Sequence, residues 1–129
     1  MNSAARLVTN SSGICHVSPI LDRLNWLPIS CRIDMQILAL IFKCFHGTAP
    51  VYLSEKLTRV NQIPERSGLP SFNTTDLLVQ RARLKTFGER RFSICGPRSW
   101  NKLDLTVRSS QSLRRFKSLV KEQFLSDCF

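Results

Sequence analysis

A run of apolar residues between Pro28 and Gly47 constrains the fold of this chain more than any other feature. Its side chains recur at the three- and four-residue spacing of an amphipathic α-helix. Proline disfavours the α conformation in the residue before it, and glycine is the usual residue just after a helix end. We therefore predict a helix over residues 30–45 at the centre of the core. Its apolar stripe comprises Ile33, Ile37, Leu38, Leu40, Ile41, Phe42, Cys44 and Phe45.

Weaker helical signals lie on both sides of this helix. Ser18-Pro19 and Ala49-Pro50 each place a proline where a first helical turn accepts its fixed φ. They predict short helices that end before Leu27-Pro28 and at about residue 57, respectively. Apolar spacing predicts further helices over residues 4–8, 89–95, 97–103 and 113–125, with Gly96-Pro97 separating the middle two.

One stretch favours extended structure instead. Leu77-Leu78-Val79 predicts a strand, and Arg81, Arg83 and Lys85 follow at alternate positions. Alternate residues of an extended chain lie on one face, so these three cations are expected to share a face. The predicted fold class is mainly α, a small helical domain with a short β-strand or hairpin near residues 77–87.

The composition divides the chain into three parts. Residues 58–76 are rich in Pro, Gly, Ser, Asn and Thr and predict an exposed linker. A helical segment, 1–57, precedes the linker, and a basic segment of strand and helices, 77–129, follows it. At 43% hydrophobic residues the chain can bury a core, which argues against wholesale disorder.

The charge is strongly positive and unevenly distributed. The net charge is +10, and residues 65–129 hold thirteen Lys and Arg against six Asp and Glu. Such an excess favours a polyanionic partner, and we expect contact with the backbone of RNA or DNA without base specificity. Arginine can fork onto phosphate, and aromatic rings such as Phe87 can stack on bases, whereas Phe92 and Trp100 are expected in the core. The predicted nucleic-acid-binding residues are Arg81, Arg83, Lys85, Arg90, Arg91 and Arg98.

Catalytic and metal-binding patterns are missing from the sequence. There is no glycine-rich phosphate loop, no paired-aspartate motif and no Cys-x-x-Cys. Cys15-His16 and Cys44-x-His46 are isolated half-sites, and a shared metal site built from both stays open as a minor alternative. We predict that the chain is not an enzyme, that it takes no cofactor or metal, and that it has no small-molecule substrate.

We expect no segment for secretion or membrane insertion in this chain. Residues 1–5 do not form the apolar core of a signal peptide, and the longest strictly apolar run covers only residues 37–42. We expect a cytoplasmic or nuclear protein that is not secreted and has no membrane contact.

An ordered series of motifs resembles one family. Its members are Ala4-Ala5-Arg6-Leu7-Val8-Thr9, His16-Val17-Ser18-Pro19-Ile20-Leu21, Leu24-Asn25-Trp26-Leu27-Pro28-Ile29, His46-Gly47-Thr48-Ala49-Pro50-Val51-Tyr52-Leu53 and Pro97-Arg98-Ser99-Trp100-Asn101-Lys102-Leu103. On these motifs the chain resembles the C-terminal region of LINE-type, non-LTR retrotransposon polyproteins, downstream of the reverse transcriptase palm. One departure is Asp104, where that family usually has proline.

The resemblance implies descent from a transposable element's RNA-directed DNA polymerase, without its activity. In that family the catalytic aspartate pair belongs to the palm, and no such pair occurs here. The expected role is that of a non-catalytic, reverse transcriptase-like fragment that grips template RNA or primer–template. The alternative is a structural or non-functional remnant, or a protein-interaction module adopted by the host, with self-association through exposed apolar surface.

Overall fold

The computed structural model of the protein describes residues 2–68 and 75–128. Helices account for most of these residues, which confirms the predicted mainly α fold class. The described helices are α1 (Asn2–Thr9), α2 (Ser18–Arg23), α3 (Ile29–Phe45), α4 (Val51–Ser54), α5 (Phe92–Asn101), α6 (Leu105–Arg108) and α7 (Leu113–Cys128), with 3₁₀ turns at Val60–Gln62 and Pro64–Arg66.

The long helix α3 begins and ends where local sequence predicts. Pro28 precedes it with an extended ψ of 154°, so the helix starts directly after the proline. At the other end Gly47 adopts a φ of +69°, a conformation that favours glycine. The Thr48 amide donates to the Lys43 carbonyl at 3.0 Å, and the Gly47 amide to Cys44 at 3.4 Å. Together these bonds form a Schellman C-cap that satisfies the last carbonyls of α3.

The main core lies where α3 packs against α5 and α7. The rings of Phe42 and Phe116 stack with centroids 4.6 Å apart, and those of Phe45 and Trp100 at 4.9 Å. Because α3 precedes residues 58–76 and α5 and α7 follow them, the two predicted helical segments share this core. Its buried residues are Leu38, Ile41, Phe42, Leu77, Trp100, Leu103, Val107, Phe116 and Val120.

A smaller apolar cluster forms between α1 and α2. Ala5, Ile20 and Leu21 are buried in it, and Trp26 packs against it while partly exposed. Asn25 turns the chain after α2 with a φ of +52°, which asparagine tolerates better than most residues. The beginning of the chain therefore has a small core of its own beside the main one.

Helix α5 corrects the prediction of two helices separated by Gly96-Pro97. A single helix runs through both residues, although Pro97 lacks the amide that would bond within the helix. Burial on both sides of the proline outweighs this loss, since Ile94 is 4% exposed and Trp100 is 1% exposed. Gly96 also brings α5 close to α3, because a Cβ atom there would lie 3.0 Å from Ile41 Cδ1.

The predicted strand near residues 77–87 is reduced to one antiparallel bridge between Arg59 and Leu77. The Val60 amide donates to the Asp76 carbonyl at 3.0 Å, and the Leu78 amide to Thr58 at 2.8 Å. Residues 83–90 then form bends and turns instead of a hairpin. In the predicted linker, 58–76, Val60 is buried, and residues 69–74 lie outside the described part of the chain.

Several helix boundaries differ from the predicted ones by a few residues. The helix α4 ends at Ser54 and not near residue 57. The terminal helices are longer than predicted, since α1 covers Asn2–Thr9 and α7 continues to Cys128. Local spacing locates these helices, while their ends fray and are less sharply specified by the sequence.

Candidate nucleic-acid interface

Five of the six predicted binding residues lie in irregular and turn structure and not on a strand face, and the sixth, Arg98, lies on α5. We call residues 79–91 the basic segment; none of them belongs to a helix or a strand. Arg81, Arg83 and Lys85 are all exposed, but the bends from residue 83 onward remove the regular alternation that extended structure would give. The expectation of one shared strand face is therefore wrong, although the three cations remain neighbours on a short exposed stretch.

Gly88 shapes the turn within the basic segment. Its amide donates to the Leu84 carbonyl at 3.1 Å. A Cβ atom at this position would lie 2.5 Å from that same carbonyl oxygen and 3.1 Å from Ala82 Cβ. Only glycine fits this close approach of backbone to backbone.

Two apolar side chains project between the cations of the basic segment. Phe87 is 78% exposed and Leu84 is 63% exposed. The predicted core residues behave differently, because Trp100 is fully buried and Phe92 is half-buried against the main core. The segment thus presents an aromatic ring in water beside positive charge.

All six predicted cations are exposed, and one of them has an acidic partner. Arg98 on α5 lies 3.9 Å from Glu89 of the turn, and about half of each side chain is in water. An exposed pair of this kind is weak, but the contact shows that Arg98 lies against the basic segment. Within residues 2–68 and 75–128 the other five cations form no ion pair. They are Arg81, Arg83, Lys85, Arg90 and Arg91.

The basic segment is anchored to α5 at both ends. Just before it, the Asn101 side chain bonds both backbone groups of Leu77, accepting from the amide at 2.9 Å and donating to the carbonyl at 2.8 Å. Trp100 Nε1 also donates to the Thr75 carbonyl at 3.0 Å. After the segment, α5 starts directly at Phe92, and the Arg91 carbonyl accepts from the Cys95 amide at 2.9 Å. The segment therefore runs back along the length of α5, roughly 15 Å for a helix of this size.

Other cations have structural contacts that sequence spacing did not indicate. Arg108 is nearly buried, forms an ion pair with Asp76 and donates from Nε to the Leu103 carbonyl at 2.9 Å. The guanidinium of Arg59 lies 4.2 Å from the centre of the Phe45 ring. These two arginines contact other residues within the fold, whereas the cations of the basic segment project into solvent.

The two Cys–His half-sites are not assembled into a metal site. His46 caps the end of α3, where Nδ1 lies 2.9 Å from the Phe42 carbonyl oxygen and the ring stacks on Phe42 at 4.1 Å. Cys15 Sγ contacts Ser12 Oγ at 3.5 Å. In the part of the chain that the structure describes, no group of three or more His, Cys, Asp or Glu side chains could hold a metal ion.

Comparison with known proteins identifies no relative. No family model matches the chain, no curated protein matches it significantly, and no solved structure does so either. Among the helices of the described residues, none combines the length and the apolar character needed to cross a membrane. The geometry of the basic segment therefore carries the functional argument.

Proposed function

We propose that the chain is a non-catalytic nucleic-acid-binding fragment of a retrotransposon reverse transcriptase-like protein. It contacts the backbone of RNA or DNA through the basic segment and Arg98. The observation that carries this proposal is the exposure of Phe87 in the basic segment, whose own five cations form no ion pair among the described residues. The resemblance to LINE-type polyproteins supports it, because a template or primer–template is the expected ligand of that region.

The electrostatic part of the binding comes from neutralising phosphates. Arg81, Arg83 and Lys85 lie in water and are free to move toward a phosphate backbone. Each phosphate contact releases condensed counterions, so affinity falls as salt rises. Guanidinium groups also donate two parallel hydrogen bonds to phosphate oxygens, a geometry that lysine lacks.

The apolar part of the binding favours single strands. An exposed ring such as Phe87 can stack on an unpaired base, and alanine substitution at such contacts costs about 1–3 kcal/mol. Bases in a duplex are already stacked on one another and offer no face to the ring. We therefore expect tighter binding to single-stranded RNA or DNA than to the corresponding duplex, with little dependence on base sequence.

The test is a binding titration of a short labelled single-stranded RNA, followed by fluorescence anisotropy. The triple variant Arg81→Ala, Arg83→Ala, Lys85→Ala is expected to bind about tenfold more weakly, or worse, than the unmodified protein. A matched control removes the same charge from α7, with Arg114→Ala, Lys117→Ala and Lys121→Ala. Equal losses in both variants would show that net charge, and not the basic segment, determines binding.

A second titration examines the stacking contact. Phe87→Ala is expected to weaken binding to single-stranded RNA by about tenfold and to leave binding to the duplex unchanged. Phe87→Trp keeps an aromatic ring at this position and is expected to bind single-stranded RNA as tightly as the unmodified protein. If Phe87→Ala binds both ligands like the unmodified protein, the ring has no part in recognition.

A separate observation favours a second candidate, a structural role without nucleic-acid contact. Leu7 and Val8 on α1 are exposed, as are Ile29 and Ile33 at the start of α3. The two isoleucines are four residues apart and share a helix face. In this alternative, these side chains pack on another protein domain or on a second copy of the chain. Sedimentation velocity would then show self-association that Ile33→Glu abolishes and Gln36→Glu, at a neighbouring exposed position, does not.

A further inference from the structure

Two cysteines that are far apart in the sequence lie in contact. The Sγ atoms of Cys31 and Cys128 are 2.7 Å apart, although the residues are 97 positions apart in sequence. Both are free thiols; Cys31 is half-buried and Cys128 is exposed. This closeness places them within reach of a direct bond, because a disulfide requires the sulfur atoms to approach about 2 Å.

The packing of α3 and α7 explains why these thiols meet. Phe42, near the end of α3, stacks on Phe116, near the start of α7. Cys31, near the start of α3, contacts Cys128 at the end of α7. The two helices therefore run antiparallel, and both contacts belong to one long interface. The buried Phe42–Phe116 pair at one end holds the register that brings the sulfur atoms together at the other.

We propose that Cys31 and Cys128 are a modification site, at which a low-molecular-weight disulfide such as oxidised glutathione forms an intramolecular disulfide reversibly. One protein thiol loses its proton and attacks the small disulfide, so that a mixed disulfide forms and one reduced small thiol leaves. The second protein thiol loses its proton, attacks the mixed disulfide and releases the second small thiol. The two protein thiols are oxidised by two electrons in total, and the small disulfide is reduced by the same two. This proposal is independent of the nucleic-acid proposal.

The surroundings of the other thiols distinguish this pair. Cys15 contacts the Ser12 hydroxyl at 3.5 Å, and Cys95 donates to the Arg90 carbonyl at 3.6 Å. The hydrogen bond with Cys31 is the main cause that raises the pKa of the Cys128 thiol to about 11, and burial is the second cause. The Cys128 thiol is therefore protonated at neutral pH in the reduced protein and must lose its proton before it attacks a disulfide.

The bond would link the start of α3 covalently to the end of α7. A crosslink across so long a loop restricts the unfolded chain strongly and the folded chain little, since the sulfur atoms are already neighbours. We expect the oxidised protein to melt about 10 °C higher than the reduced protein. Fraying of the last turn of α7 should also decrease, because its final described residue is attached to α3.

The experiment exposes the full chain to a series of oxidised and reduced glutathione buffers, alkylates the remaining thiols, and maps the digested peptides by mass spectrometry. The expected result is one crosslinked peptide joining Cys31 to Cys128 in a monomer, with Cys15, Cys44 and Cys95 alkylated. Recovery of Cys31 and Cys128 as alkylated thiols or as separate glutathione adducts would overturn the proposal, as would a crosslink to another cysteine or between two chains.

Variants and melting curves provide an independent readout. Cys31→Ser and Cys128→Ser should each abolish the oxidation-dependent rise in melting temperature, while Cys15→Ser and Cys95→Ser should retain it. A rise that persists in Cys128→Ser would contradict the assignment. The peptide map of the unmodified protein decides the question even where a variant folds poorly.

Discussion

Two neighbouring regions of the basic C-terminal half use their side chains in opposite ways. In residues 97–103, Pro97, Trp100 and Leu103 are buried, and Asn101 bonds both backbone groups of Leu77. In the basic segment, Phe87 and its neighbouring cations lie in water. The first region, which we call the anchor, holds the fold together. The basic segment contributes little to the core, so packing does not restrict which residues it contains, and these residues can be suited to binding.

The comparison also separates the positive charges into two kinds. Arg108 lies outside the anchor but donates to its last residue, Leu103, and is nearly buried and paired with Asp76. Arg81 and Arg83 are exposed, and the described residues provide them with no ion pair. Net charge alone does not distinguish these cases. We expect substitutions at the anchor to affect folding and substitutions in the basic segment to affect binding.

Substitution of the anchor tryptophan, Trp100, is expected to have the largest effect on the free energy of unfolding. Trp100→Ala removes a fully buried ring and the hydrogen bond from Nε1 to Thr75, and should lower the free energy of unfolding by about 3–5 kcal/mol. Urea unfolding followed by circular dichroism measures the loss. Trp26→Ala, in the smaller and partly exposed cluster, is the control and should cost less. A loss below about 1 kcal/mol for Trp100→Ala would contradict the role given to the anchor.

The anchor asparagine should have the next largest effect. Asn101→Ala leaves the amide and the carbonyl of Leu77 unpaired at a site that is 2% exposed, and we expect a loss of about 2–3 kcal/mol. Lys102→Ala, at the adjacent exposed position, should change the free energy of unfolding by less than about 0.5 kcal/mol. Equal effects of the two substitutions in the same urea measurement would show that the bonds to Leu77 are unimportant.

The turn glycine tests whether the basic segment has a defined shape. Gly88→Ala forces a Cβ atom against the Leu84 carbonyl, so the turn must rearrange, at a cost of about 1 kcal/mol. Hydrogen exchange should show faster exchange confined to residues near 83–91. Gly13→Ala is the matched control, since a Cβ atom there meets nothing within 4 Å. Faster exchange throughout α5 and α7 would mean that the turn is part of the core.

Substitution of the cations of the basic segment is expected to have the smallest effect on stability. Arg81→Ala, Arg83→Ala and Lys85→Ala should each change the free energy of unfolding by less than about 0.5 kcal/mol, because all three side chains are exposed. Thermal unfolding of the three single variants checks this expectation. A loss above about 1 kcal/mol in any of them would remove the distinction between the two regions.

The helix α3 was predictable from local sequence because its signals act locally. Pro28 prevents the helix from starting earlier, and Gly47 adopts the positive φ that ends it. The helix α5 was not predictable in this way, because Pro97 ends a helix in most local contexts. Here the burial of Ile94 and Trp100 outweighs the hydrogen bond that Pro97 cannot donate, and the helix continues. Tertiary packing of that kind leaves no trace in residue spacing.

The candidate site shows the same division. The clustering of positive residues in the sequence was enough to select the six cations, and all six are exposed. The alternation of Arg81, Arg83 and Lys85, however, predicted a strand, and the structure has bends and turns from residue 83 onward. The bonds between Asn101 and Leu77 span 24 positions, and the Cys31–Cys128 contact spans 97. Contacts over such separations depend on the whole fold and have no local sequence signal.

The most direct test of the central claim is the salt dependence of single-stranded RNA binding. For single strands the logarithm of the binding constant falls with the logarithm of salt concentration by about 0.7 per phosphate neutralised. The Arg81→Ala, Arg83→Ala, Lys85→Ala variant should therefore show a slope shallower by about 2 than the unmodified protein. The α7 control variant should keep the original slope. Unchanged slopes in the basic-segment variant, or an equal reduction in the α7 control, would contradict the claim that this segment is the nucleic-acid contact.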